Sequence, residues 1–148
     1  MGWSNRSEHL FELGTRMYGA RSLGIDGVRD ESRARLGRLL RPGDCFTYFY
    51  DFSGQWHHLI DVEAWSPMLP DDAAAVCLEG AGACPPEGYG GPLAYEDMMA
   101  ALAEPRHEHH KMWLDSVGES HDVHAFDPRR VNQVLDAMNE RRHPRLEH

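Results

Sequence analysis

Three groups of residues have the types and spacing to do chemistry. The first is a set of metal-ligating side chains: Cys77 and Cys84 in a C-x6-C arrangement, with His58 and the run His107, Glu108, His109, His110 as sources of nitrogen or oxygen. Thiolate and imidazole are zinc ligands, so zinc is the cofactor this set would take. A structural zinc site commonly uses more closely spaced cysteine pairs, and C-x6-C without a second pair is a weak form of that pattern. The second group is Asp51 with His57 and His58, where a carboxylate could orient an imidazole as a general base. No nucleophile motif accompanies it: G-x-S-x-G, H-E-x-x-H and the phosphate-binding G-x-x-x-x-G-K-[ST] are all missing from the chain. The third is the row Arg33, Arg35, Arg38 and Arg41, which could meet nucleic-acid phosphates, although a solvated helix face is the plainer and preferred reading.

Charge weighs against the third group. The 148 residues carry 15 Lys and Arg against 24 Asp and Glu, a formal net charge of -9, which repels a phosphate backbone over long range. A composition that is 41% hydrophobic and 26% charged belongs to an ordinary folded domain, and no apolar run suggests a membrane span. The start MGWSNRSEH lacks the basic flank and apolar core of a secretory signal, and three cysteines without a dense framework fit a reducing compartment, so the expected setting is cytoplasmic. Length implies a single domain over residues 1–145. Leu146, Glu147 and His148 read as the start of a purification tag and enter no functional argument.

The elements that must position these groups follow from periodicity. HLFEL (His9 to Leu13) reads as a short strand with GTRMYGA as its turn and return. Asp30 or Ser32 could cap a helix reaching about Leu40, where Arg41-Pro42-Gly43 stops it. CFTYFYDF and WHHLIDVEAW, separated by Ser53-Gly54-Gln55, form an aromatic hairpin. A three-residue loop pairs Phe52 with Trp56, Tyr50 with His58, Tyr48 with Ile60 and Phe46 with Val62, giving one apolar face that includes Trp56 and His58. That register sets Asp51 beside His57 on the opposite face. A histidine on the apolar face, as His58 is, ordinarily hydrogen-bonds to a tyrosine or the backbone.

AAVCLEG supplies a further strand around Ala75 to Leu78. The segment from Gly80 to Pro92 is a loop in which Pro85-Pro86 stiffens the chain and the glycines permit positive φ, delivering Glu87 to a fixed place. Tyr95, Met98, Met99 and Leu102 mark a helix that ends before Pro105, and Glu108 to Val117 a second one closed by Gly118. In the last helix Asp127 is the N-cap, Pro128 the first residue, Phe126 a staple onto Val131, and Val131, Val134, Leu135 and Met138 the buried stripe. Strands early and helices late describe an α+β fold: a small antiparallel sheet with a central aromatic hairpin, covered by C-terminal helices.

In order along the chain, MGW, HLFEL, the YDF-x-x-x-W-x-H of Tyr50 to His58, the C-x6-CPPE-x-x-GG of Cys77 to Gly91 and the F-D-x-x-x-V-N of Phe126 to Asn132 resemble the plasmid Ri ORF-three-like family. The resemblance implies an α+β domain carried on plasmids and mobile elements and brings no established activity with it. Two departures stand out: Ser53-Gly54 follows YDF where the family has GD, and Tyr89 stands where it has a cysteine before GG. The resemblance also implies strands upstream of MGW, which here begins at Met1, so an unpaired edge or an uncovered apolar face is expected, and with it a homodimer or a tendency to aggregate.

The leading expectation is a binding or interaction module that recognises a protein or small ligand through Asp51, Trp56, His57, His58, Glu87 and Tyr95. The alternatives are a metal-dependent enzyme using His58, Cys84 and Glu87, and an accessory nucleic-acid-binding protein.

Overall fold

The computed structural model describes residues 3–67, 75–118 and 121–142. Five strands, β1 (His9–Leu13), β2 (Arg16–Gly19), β3 (Val28–Asp30), β4 (Cys45–Tyr50) and β5 (Trp56–Asp61), form one sheet in the order β3-β2-β1-β4-β5. The helices are the single turn α1 (Leu36–Leu39), α2 (Gly91–Ala103), α3 (His110–Val117) and α4 (Pro128–Arg142). Among the described residues no helix is long and apolar enough to cross a membrane. The chain gathers into two units: a sheet unit of Asn5–Pro67 with Gly88–Glu96, and a helical unit that takes in Trp3 and Ser4, the loop up to Glu87, and the chain from Asp97 onward.

The sheet unit is built on period-two alternation. Phe11 lies opposite Tyr18 on one side and Tyr48 on the other, and Phe46 lies opposite Ile60, so one face collects the aromatic rings. Phe11 and Tyr48 are 4.8 Å apart between ring centres, and Leu13, Tyr18, Leu40 and Phe46 form the buried cluster beneath them. The fold is therefore α+β with an aromatic hairpin, as expected. The sheet is mixed rather than antiparallel, because β3 runs parallel to β2 with Met17 opposite Val28. Three residues of VRD carry no periodicity of their own, and only the pairing with β2 makes them a strand.

The hairpin register differs by two positions from the expected one. Tyr50 pairs with Trp56, Tyr48 with His58 and Phe46 with Ile60, leaving a five-residue loop over 51–55. Asp51 has left strand geometry at φ 55, and its carbonyl accepts the Gln55 N–H at 2.6 Å, which ends the ladder at Tyr50. A shift of two keeps every side chain on its face, so the aromatic face survives. Phe52 leaves the sheet and is exposed, and Phe49 takes the place opposite His57 that was expected to neighbour Asp51.

The helix expected over 30–40 is broken. Asp30 does cap, accepting the Ser32 N–H at 3.0 Å, but the turn it starts is a 3-10 turn over Glu31–Arg33. Ala34 and Arg35 are extended, and α1 begins after them. Ala75 to Leu78 is not a strand: the Asn132 carboxamide accepts from the Cys77 N–H at 2.7 Å and donates to its carbonyl at 2.9 Å, supplying from one side chain what a neighbouring strand would.

In the helical unit, Met98 and Ala101 of α2 are fully buried. Gly118 closes α3 by donating to Leu114 O, with positive φ but ψ 153, so it extends the chain away rather than capping in the left-handed region. Asp127 caps α4 through Arg129 N–H at 2.9 Å. The apolar stripe of α4 is narrower than its sequence suggests: Val131 and Leu135 are half-buried, whereas Val134 and Met138 are about half exposed. Phe126 lies across Gly80, where a β-carbon would overlap its ring.

Candidate metal centre and binding surfaces

Pro105 ends α2, and two tight turns follow, His107 N–H to Glu104 O at 2.9 Å and His110 N–H to His107 O at 3.0 Å. They carry the chain back so that His107 and His109, just ahead of α3, meet Asp97 on the second turn of α2. One ligand atom from each of Asp97, His107 and His109 lies within 4.8 Å of the others, a spacing at which the three could hold a metal ion. His109 Nδ1 is 3.0 Å from Asp97 Oδ2, and the buried Trp113 donates its indole N–H to the same oxygen at 2.6 Å. His109 N–H donates to His107 Nδ1 at 3.2 Å.

The electrostatics follow from these bonds. The Trp113 indole N–H, and after it the His109 imidazole, hold the Asp97 carboxyl below the usual carboxylate range. The Asp97 carboxylate in turn raises the pKa of His109. An indole donor that fixes a carboxylate while leaving it ionised is the kind of outer contact that orients metal ligands. Two imidazoles and a carboxylate on three positions suit a divalent transition metal and leave room for further ligands.

The sequence-expected residues fall elsewhere. Cys77 and Cys84 lie in the helical unit, where the Cys77 thiol donates to Glu79 O at 3.5 Å and the Cys84 thiol to Pro85 O at 3.4 Å. Burial raises the Cys84 pKa, so its thiol is a poor source of thiolate. His58 lies in the sheet unit with Nδ1 at 3.1 Å from Tyr48 O, the backbone bond expected of a histidine on that face. His57 packs edge-on against Phe49 at 4.5 Å. Asp51 and His57 still share a hollow of about 220 Å³, with Phe49, Phe52 and Gln55 around it. Arg33, Arg35, Arg38 and Arg41 are exposed along the broken segment, with Arg35 turned onto Ala34 O at 2.9 Å.

The motifs of the chain meet in pairs. Trp3 donates its indole N–H to Pro85 O at 2.7 Å, and the Ser4 N–H reaches Glu87 Oε2 at 2.8 Å, so MGW anchors CPPE. Glu87 is thus delivered to a fixed place, where it receives this backbone donor. Gly54, in the loop after YDF, packs its carbonyl against Gly91, where any β-carbon would overlap it, and Trp56 meets Tyr95 at 6.2 Å between rings. Asn132, from the last motif, holds Cys77, from the first position of C-x6-C. These residues are spaced as they are because they hold loops in place.

Such a set defines a two-unit α+β protein whose motif residues hold one another within each unit and whose three-ligand cluster belongs to the helical unit. The chain matches the plasmid pRiA4b ORF-3-like protein family over residues 1–134 and belongs to that family. It is 34% identical over 147 residues to the uncharacterized protein y4hQ of Sinorhizobium fredii, covering 93% of this chain and 73% of that protein. Its fold is similar to the crystal structure of a protein of unknown function from Methanosarcina mazei Go1, with a TM-score of 0.79 at 26% identity, covering 88% of this chain and 75% of that one.

Asp97 and Trp113 were not legible as site residues. The H-x-H of His107 and His109 stands out in the sequence, but their carboxylate partner is ten residues or more away and carries no motif.

Proposed function

We propose that this protein is a metal-dependent binding module whose helical unit takes one divalent ion of the zinc class through Asp97, His107 and His109. The convergence of three ligand atoms within 4.8 Å supports this reading, and the Trp113 indole bond to Asp97 adds to it by holding the carboxylate ionised and oriented. Taking the ion would exchange the Asp97 to His109 contact for bonds to the metal. Three protein ligands among the described residues would leave a position for water or for a partner's donor, which also favours metal-assisted hydrolysis as the second reading. Nucleic acid fits less well, since the arginines are strung along a broken segment of a chain with net charge -9.

Calorimetric titration with zinc, on protein ending at Arg145 so that His148 contributes no ligand, is expected to give one equivalent in the wild type. The double variant His107→Ala/His109→Ala should lose it and Cys77→Ser/Cys84→Ser should keep it. Unchanged stoichiometry in the histidine variant would sink the assignment.

A further inference from the structure

On the aromatic face of the sheet unit lies a half-open hollow of about 300 Å³. Phe11, Leu13 and Tyr18 of the sheet line it, together with Ala34, Leu36 and Leu39 of the segment that leads through α1. One polar pair interrupts this lining. His9 Nε2 sits 3.0 Å from Glu31 Oε2 and 3.1 Å from Oε1, with the two side chains only 20% and 27% exposed. A mostly apolar hollow of this size with a single convergent polar group has the composition of a small-ligand site.

The polar group is held in place. Glu31 opens the turn that Asp30 caps, with Asp30 accepting from both the Ser32 N–H at 3.0 Å and the Ser32 hydroxyl at 2.7 Å, and the Glu31 carbonyl receives the Ala34 N–H at 2.9 Å. His9 is held edge-on against Phe11 at 5.8 Å and tilted against Tyr48 at 5.8 Å. A carboxylate offers about four acceptor positions, and one imidazole nitrogen leaves most of them for another donor. Arg29, whose guanidinium lies 5.9 Å over the Tyr18 ring, is exposed to solvent.

We propose that this hollow binds a small amphipathic organic amine, its apolar body between Phe11, Leu13 and Leu39 and its ammonium group on the Glu31 carboxylate. The site belongs to the sheet unit and is independent of the metal reading. A fatty carboxylate reaching for His9 is the competing chemistry, and it would have to displace or approach Glu31.

The test titrates the full chain with phenethylamine, 3-phenylpropanoate and 2-phenylethanol, which share a phenyl body and differ in head group, following the amide and methyl NMR signals of the sheet unit. Saturable shifts of Phe11, Leu13 and Leu39 with the amine, at least tenfold tighter than with the acid or the alcohol, are expected. Glu31→Gln should weaken the amine at least tenfold while the alcohol binds as before. Equal or tighter binding of the acid, no saturable shift with the amine, or an amine affinity unchanged in a folded Glu31→Gln protein would each overturn the proposal. The comparison of ligands on the wild type decides it even if that variant does not fold.

Discussion

Gly88 and Gly91 both have positive φ, at 85 and 84, but only one of them has a neighbour where a β-carbon would stand. A β-carbon at Gly88 meets nothing within 4 Å, whereas at Gly91 it overlaps the Gly54 carbonyl. Alanine at positive φ costs about 1–2 kcal/mol, offset by roughly 0.4–1 kcal/mol from the stiffer unfolded chain, so Gly88→Ala should change stability by about 0–1.6 kcal/mol. Gly91→Ala adds the overlap, and the obstructing atoms are backbone that cannot swing aside, so a further 1–3 kcal/mol or so is expected. Both glycines belong to the sheet unit, so both losses are read on the same transition. In urea unfolding followed by circular dichroism, with a slope of about 2 kcal/mol/M, the Gly91→Ala midpoint should fall roughly 0.5–1.5 M below that of Gly88→Ala. Coincident midpoints would refute the close approach of Gly54 and Gly91, and with it the account of why two glycines end CPPE-x-x-GG.

Asn132→Ala removes two partly buried hydrogen bonds to the Cys77 backbone and should cost about 1–3 kcal/mol; Asn132→Asp, which keeps the acceptor and loses the donor, should lie between, and an Ala variant as stable as wild type would contradict the bridge. Trp56 is half-buried against Tyr95, so Trp56→Ala should lose about 2–3 kcal/mol rather than the 3–5 kcal/mol or so of a fully buried aromatic; a melt unmoved from wild type would exclude the ring packing. Timed alkylation with iodoacetamide at neutral pH, read by peptide mass, should modify the exposed Cys45 well before Cys84, whose pKa burial raises; the reverse order would mean that Cys84 is an activated thiol.

Local patterning along the chain carries part of this fold. Alternation in CFTYFY and WHHLID made an aromatic strand pair whose faces were right even though its register was two positions off, because a shift of two leaves every side chain on its side of the sheet. The end of α2 ahead of Pro105 and the Asp127-Pro128 start of α4 were written in residues next to each other. The rest came from packing between segments distant in the chain. VRD became a strand through β2, Ala75 to Leu78 lost its strand to a single asparagine from α4, and the Asp30 cap initiated a 3-10 turn where a longer helix was expected. The candidate metal centre divides in the same way. His107 and His109 announce themselves by their spacing, but Asp97 enters only because the turns after Pro105 fold α3 back along α2, and Trp113 only because it is buried there. Cys77 and Cys84 look like ligands in one dimension. In three, the Cys77 backbone is tied to Asn132, and the Cys84 thiol is tucked onto the backbone of Pro85. Spacing along a chain measures distance only within one element, and ligands contributed by two elements are brought together by packing, which no single segment encodes.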